Sequence, residues 1–176
     1  MQSVDSGGQG SSLLRANEGD TMATVTSSQA AATYPLYMPK CGEVAVSRGV
    51  YEIASALSKD DIVQLCKIPA GCEVIGGWLR ADDLDTDGTE ELDLDVGTAA
   101  DPDALGNFGV LNGDAVTNVQ PEAGINLSLF GLLKDGAYAV TADTTFQATV
   151  TAAAKAGGTG TLGLTLLYTR TLTVGA

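Results

Sequence analysis

The chain has 176 residues, with 22 Asp and Glu against 9 Lys and Arg, a net charge of −13 and no histidine. That length suits one domain plus a tail. The charge repels nucleic acid and anionic membranes, and the missing histidine removes the usual general base and the commonest metal ligand near neutral pH. No apolar run is long enough to span a bilayer, and the N-terminus lacks the charged-then-apolar order of a secretory signal.

Residues 1–42 read as an extended arm, rich in Ser, Gly, Thr, Ala and Gln, that does not fold alone. Within it, Tyr34-Pro35-Leu36-Tyr37-Met38-Pro39 concentrates apolar side chains between prolines. Tyr34, Leu36, Tyr37 and Met38 are therefore the candidate interface with a neighbouring subunit. Asn17–Thr21 can be encoded by a purine-rich run resembling a ribosome-binding site, so Met22 is an expected second start of translation.

Residues 43–176 read as a β-sandwich. Val44–Ile53 alternates loosely around Gly49, as a bent strand or two short ones. In the stretch 61–68, Ile62, Gln64, Cys66 and Ile68 share a parity, and Pro69-Ala70-Gly71 makes a turn. Residues 72–97 read as one long hairpin, with Leu92, Leu94 and Val96 inward, Asp93 and Asp95 outward, and an acidic tip between the strands. Residues 98–124 look irregular, and 125–133 is a strand or a short helical piece. Three strands close the chain, at 137–141, 143–151 and from Leu162 to Leu172. The last two read as an antiparallel pair whose long C-terminal member needs its edge covered, which a symmetric oligomer would do. About eight strands with regular turn signals predict an all-β, jelly-roll-like antiparallel sandwich with an extended N-terminal arm.

Few patterns carry chemistry. Residues 82–103 hold a run of carboxylates with no Lys or Arg. Asp83, Asp85 and Asp87, followed by Gly88, match the first half of a calcium loop. Leu94, however, stands where the closing bidentate Glu belongs, and the flanks are strands rather than helices. These three, with Glu90, are the candidate ligands should a calcium ion bind; otherwise the stretch is a solvated acidic tip and no cofactor is expected. Cys41, Cys66 and Cys72 are an odd set, read as reduced thiols, although Cys66 and Cys72 flank a turn and a bridge between them is geometrically open. No catalytic residues are indicated: serine and cysteine lack a histidine partner, no phosphate loop follows a strand, and the acids offer no pair set apart for glycoside hydrolysis. Trp78, the single tryptophan, reads as a core or interface anchor, with a sugar-stacking platform as the other role.

The runs Asp61-Ile-Val-x-Leu-x-x-Ile68-Pro69-Ala70-Gly71, Gly76-Gly77-Trp78-Leu79-Arg80 and Leu92-Asp93-Leu94-Asp95-Val96-Gly97 resemble small structural proteins of tailed-bacteriophage heads. Val140-Thr-Ala-Asp143-Thr-Thr-x-Gln147-Ala-Thr-Val150 and Gly160-Thr-Leu-x-Leu164-x-Leu166-x-Tyr168-Thr169-Arg170 fit the same type. The resemblance, to capsid decoration or cement proteins, covers roughly 43–174. It implies a non-enzymatic β-sandwich, often a homotrimer, made in the bacterial host cytoplasm. Such a protein sits on the outside of the virion capsid and reinforces it by bridging major capsid protein subunits. The alternative is a carbohydrate- or receptor-binding module of a head fibre or tail, for which Trp78, Tyr138 and Tyr168 are the available aromatic platforms.

Overall fold

The computed structural model describes residues 22–87, 91–109, 125–128 and 137–171. Among them no helix occurs. The strands are β1 (Thr24–Thr26), β2 (Val44–Ile53), β3 (Ile62–Ile68), β4 (Cys72–Ala81), β5 (Asp93–Thr98), β6 (Gly106–Gly109), β7 (Ile125–Ser128), β8 (Tyr138–Val140), β9 (Thr144–Ala152) and β10 (Gly160–Arg170). They form two sheets, β1-β3-β9-β5-β6 and β2-β10-β4-β7, with β8 also pairing with β4. Setting aside β1 and β8, the strands run first–eighth–third–sixth in one sheet and second–seventh–fourth–fifth in the other. This is the strand order of a jelly roll, and the all-β sandwich expected from the sequence is the fold of the described residues.

The core lies between the sheets. Leu162, Leu164 and Leu166 of β10 face Val63, Leu65 and Ile68 of β3 and Phe146, Ala148 and Val150 of β9, all fully buried. Each large side chain so placed contributes about 1.5–3 kcal/mol of transfer free energy. Two register shifts explain departures from strict alternation. In β3 the pairing with β9 slips between Gln64 and Cys66, so Leu65 and Cys66 are both buried. In β4 the pairing with β10 slips at Leu167/Tyr168, so Val74 and Leu79 both point inward although their parities differ. Beyond that slip, Trp78 and Arg80 face solvent. The slip falls at Ile75, next to Gly76-Gly77, and at Gly77 the sheet tolerates no side chain: a Cβ there would lie 2.1 Å from the Thr165 carbonyl oxygen. Gly49 does not divide β2. It lets β2 lie directly over β3, since a Cβ there would overlap the Leu65 carbonyl at 1.6 Å.

Consecutive strands mostly change sheet, and this corrects two expectations. The stretch 72–97 is no hairpin: β4 lies in one sheet and β5 in the other, joined by a crossover through residues 82–92. Likewise β9 and β10 do not pair, and β10 is a central strand between β2 and β4 with no open edge. Of the outward carboxylates expected on β5, Asp93 is buried and Asp95 half-buried; the amide of Asn107, on the following strand, reaches both, 2.7 Å from Asp95 Oδ1 and 3.4 Å from Asp93 Oδ2. The strand at 106–109 lay in a region read as irregular. All three cysteines are free thiols; Cys66 and Cys72 are buried and Cys41 exposed. Burial pushes the Cys66 thiol up to about 12, which leaves it protonated and unreactive.

Candidate docking surface and the acidic crossover

The stretch 22–42, read from the sequence as part of the arm, is bonded to the sandwich of its own chain. β1 adds to the edge of β3 in parallel, with Val25 opposite Val63. The Ala23 amide donates to Asp61 Oδ1 at 2.9 Å, and the Ser27 hydroxyl donates to the Leu65 carbonyl. Further on, the Tyr168 hydroxyl donates to the Tyr37 carbonyl at 2.8 Å, and the Cys72 thiol lies 3.6 Å from the Met38 sulfur. Burial, with the nearby Cys72, Tyr37, Cys66 and Glu43 groups adding to it, raises the Tyr168 hydroxyl to about 12, so it stays a donor.

Glu43 closes the loop that carries these residues. Its carboxylate accepts the Lys40 amide at 2.9 Å and the Tyr37 hydroxyl at 2.8 Å. Those two bonds, the amide first, hold it below the usual carboxylate range. The Glu43 carbonyl accepts the Thr169 hydroxyl at 2.9 Å, which ties the loop to β10.

With the backbone held, the side chains stand out. Tyr34 is 45% exposed, Tyr37 54% and Met38 45%, while Leu36 is half-buried. Val44 and Val46, at the start of β2 and on its solvent side, are 54% and 59% exposed. Of the four sequence-designated interface residues, Tyr37 and Met38 are located beside Glu43, Tyr168 and Cys72 at one end of the sandwich, and Tyr34 and Leu36 lie on the same short loop. The structure adds Val44 and Val46, which the sequence reading does not single out. Clustered apolar side chains of this size mark interaction surfaces. Because the backbone is already fixed, docking here costs less ordering than a free arm would.

The acidic crossover is built the opposite way. Asp85 is fully buried. Its Oδ2 accepts the amides of Glu91 at 2.8 Å, Lys155 at 3.0 Å and Leu92 at 3.2 Å; its Oδ1 accepts those of Ala156 at 3.0 Å and Asp87 at 3.3 Å. Burial alone would raise this acid, but the amide dipoles outweigh it and hold Asp85 down at about 2. One carboxylate thus fastens the β4–β5 crossover to the β9–β10 crossover, where Asp85 also bridges Gly157. Lys155 reinforces the junction from outside, 3.6 Å from Asp87 and 3.4 Å from Glu91.

Of the three candidate calcium ligands, Asp85 has its lone pairs taken by main-chain amides. Asp87 pairs with Lys155, and Asp83 keeps one buried oxygen, Oδ1, with no hydrogen-bond partner among the described residues. Glu90 lies outside the described residues. Among the described residues no three His, Cys, Asp or Glu side chains gather in a metal-holding group. A cation bound by Asp85 would have to displace the amides that hold the crossover together. The signal for Asp85's role was present in the sequence only as an aspartate next to a leucine in a turn.

No protein-family model matches the chain, and no curated protein sequence matches it. Solved structures do resemble it. A chain of the cyanophage Pam1 capsid asymmetric unit is 24% identical, with a TM-score of 0.57 over 80% of this chain and 96% of its own. A chain of the capsid of Ralstonia phage GP4 is 24% identical, with a TM-score of 0.62 over 86% of this chain and all of its own, 100%. A chain of the acid-stable capsid of Helicobacter pylori bacteriophage KHP30 is 15% identical, with a TM-score of 0.51 over 73% of this chain and 89% of its own. The jelly-roll-like sandwich described above is thus a fold shared with chains of three phage capsids.

Proposed function

We propose that this protein is a virion structural protein that binds the outside of a phage capsid and reinforces it by bridging major capsid protein subunits. The observation that carries this reading is the ordered apolar end of the sandwich, where Tyr34, Tyr37, Met38, Val44 and Val46 stand exposed on a backbone fixed by Tyr168, Glu43 and Thr169. The fold shared with chains of phage capsids supports it, as does the absence of histidine, which leaves no ordinary proton-transfer centre.

Bridging several subunits turns a weak contact into a strong one, because each further contact forms at high effective concentration. A homotrimer of this chain would multiply the effect. The net charge of −13 would steer the protein toward basic patches of the shell and away from DNA. Electron cryomicroscopy of the purified particle tests the reading. The sandwich is expected as density on the outer shell surface, where capsid subunits meet, with the Tyr37 end toward the shell. Its absence from the particle, or an inner-surface position, overturns the proposal.

A further inference from the structure

A second feature lies on the solvent face of the β2-β10-β4 sheet, beginning at Arg48, the next outward residue of β2 after Val46. Two cross-strand rows meet there. One places Arg48 beside Thr165 and Trp78; the other places Val50 beside Gly163 and Arg80. With Thr161 these residues line an open groove of about 360 Å³. Trp78 is 39% exposed there, and the Arg80 side chain 53%. The two arginines stand two strands and one row apart, about 12 Å between backbones, on either side of the groove floor. In a chain with only 9 basic residues, this pairing beside the single tryptophan is a local reversal of charge.

Gly163 forms the floor, and the fold does not require a glycine there. Its φ is not in the left-handed region, and a Cβ would sit 3.6 Å from Val50 Cγ2 and 3.7 Å from the Gly49 carbonyl, ordinary contact distances. This differs from Gly49 and Gly77 nearby, where a side chain would strike backbone. What the glycine does is leave the groove open above the sheet.

The positive zone is short. In the next row the Thr161 hydroxyl donates to Glu52 Oε2 at 3.0 Å, and the Thr161 amide donates to Asp82 Oδ2 at 2.8 Å. Asp82 Oδ1 also stands 4.0 Å from Arg80. An extended acidic peptide or a nucleic acid running along the strands would meet those two carboxylates. A single ring carrying one carboxylate would not, because two residues of a strand span about 6.6 Å.

We propose that this groove binds an anionic sugar: a carboxylate-bearing pyranose of the kind found in bacterial surface polysaccharides. The ring's C–H face lies on Trp78 and its floor side over Gly163. The carboxylate takes charge-assisted bonds from Arg48 and Arg80, and the Thr165 hydroxyl serves a ring hydroxyl. The groove shares no residue with the capsid-facing end, although Val46 and Arg48 are successive outward residues of β2, and sugar binding by the free protein is read independently of capsid binding.

Trp78 is its own reporter, since any change in tryptophan fluorescence comes from this groove. The full-length protein is titrated with methyl galacturonoside, methyl glucuronoside and N-acetylneuraminate, with their methyl esters and a glutamate-rich hexapeptide as comparisons. Saturable fluorescence change is expected with at least one of the free acids, and roughly tenfold weaker binding with its ester. Arg48→Gln and Arg80→Gln should each weaken binding by roughly tenfold. Gly163→Ala should keep the thermal midpoint while weakening binding, because the added methyl enters the groove and not the core. No saturable response to any free acid up to tens of millimolar overturns the proposal. So does equal binding of acid and ester, tighter binding of the peptide, or full binding by the folded Gly163→Ala protein.

Discussion

The Asp85 junction and the Tyr37 end are both stretches between strands, and they invert the usual placement of side chains. At the first, a carboxylate is fully buried and surrounded by five main-chain amides. At the second, tyrosines, a methionine and two valines stand in solvent over a backbone that is itself bonded. The difference teaches where each stretch does its work. Asp85 acts on its own chain, joining two crossovers that pass between the sheets at the same end of the sandwich. The Tyr37 loop is held from behind by Glu43 and Tyr168, so its apolar groups remain available to something else.

The contrast is broken most severely at Asp85. Asp85→Asn substitutes a donor for one acceptor among inward-pointing amides, and each unsatisfied amide costs about 1–3 kcal/mol. A loss of about 3 kcal/mol or more is expected, or about 10 °C in thermal midpoint for a chain of this size. Calorimetry on the variant checks it, and a midpoint within about 2 °C of the parent would mean the buried carboxylate is not a fastening.

Acid should act through the same group. Its folded value lies below its unfolded one, so its stabilising contribution is complete above the unfolded value near 4 and is lost as pH falls through about 2. A drop from 3.8 to about 2 corresponds to roughly 2.5 kcal/mol. Denaturant melts between about pH 5 and pH 2 should show this loss in the parent and a shallower one in Asp85→Asn. Parallel pH profiles for the two proteins would contradict the assignment.

At the other region the same operations should do little to the fold. Tyr34→Ser with Tyr37→Ser removes two exposed rings and the solvent-exposed Tyr37–Glu43 bond, while the Lys40 amide, Tyr168 and Thr169 still hold the loop backbone; surface changes of this kind usually shift stability by no more than about 0.5 kcal/mol each. An unchanged far-ultraviolet circular dichroism spectrum and a nearly unchanged midpoint are expected. A large destabilisation would place the tyrosines in the core's service instead. Smallest of all should be the effect of calcium: with Asp85 already saturated by amides, added calcium is expected to leave the melting curve where it was, and a clear upward shift would reopen the acidic crossover as a cation site.

Much of this fold is legible in the sequence, and the parts that are not share a cause. Alternation states which residues turn inward, as it does for Leu162, Leu164 and Leu166. It does not state which sheet a strand joins. β4 with β5, and β9 with β10, look like hairpins because each is two strands with a turn-rich link, yet links of this length cross the core as readily as they turn back. Register slips then hide parity in β3 and β4, which is why Cys66 and Val74 sit beside neighbours of the opposite parity. β1 escapes because three residues, two of them threonines, carry no hydrophobic period. Among site residues, Tyr34, Tyr37 and Met38 stand out by composition alone. Asp85 does not, because a saturated buried carboxylate and a solvated one have the same sequence signature. The Arg48–Trp78–Arg80 grouping requires knowing that β10 lies between β2 and β4.

The central claim, that the exposed apolar end is the surface that grips a capsid, is tested most directly by co-sedimentation of the Tyr34→Ser, Tyr37→Ser protein with phage capsid shells that bind the parent protein and have been stripped of it. The account predicts that the variant, folded as the parent is, stays in the supernatant while the parent pellets with the shells. Equal pelleting of the two would contradict it.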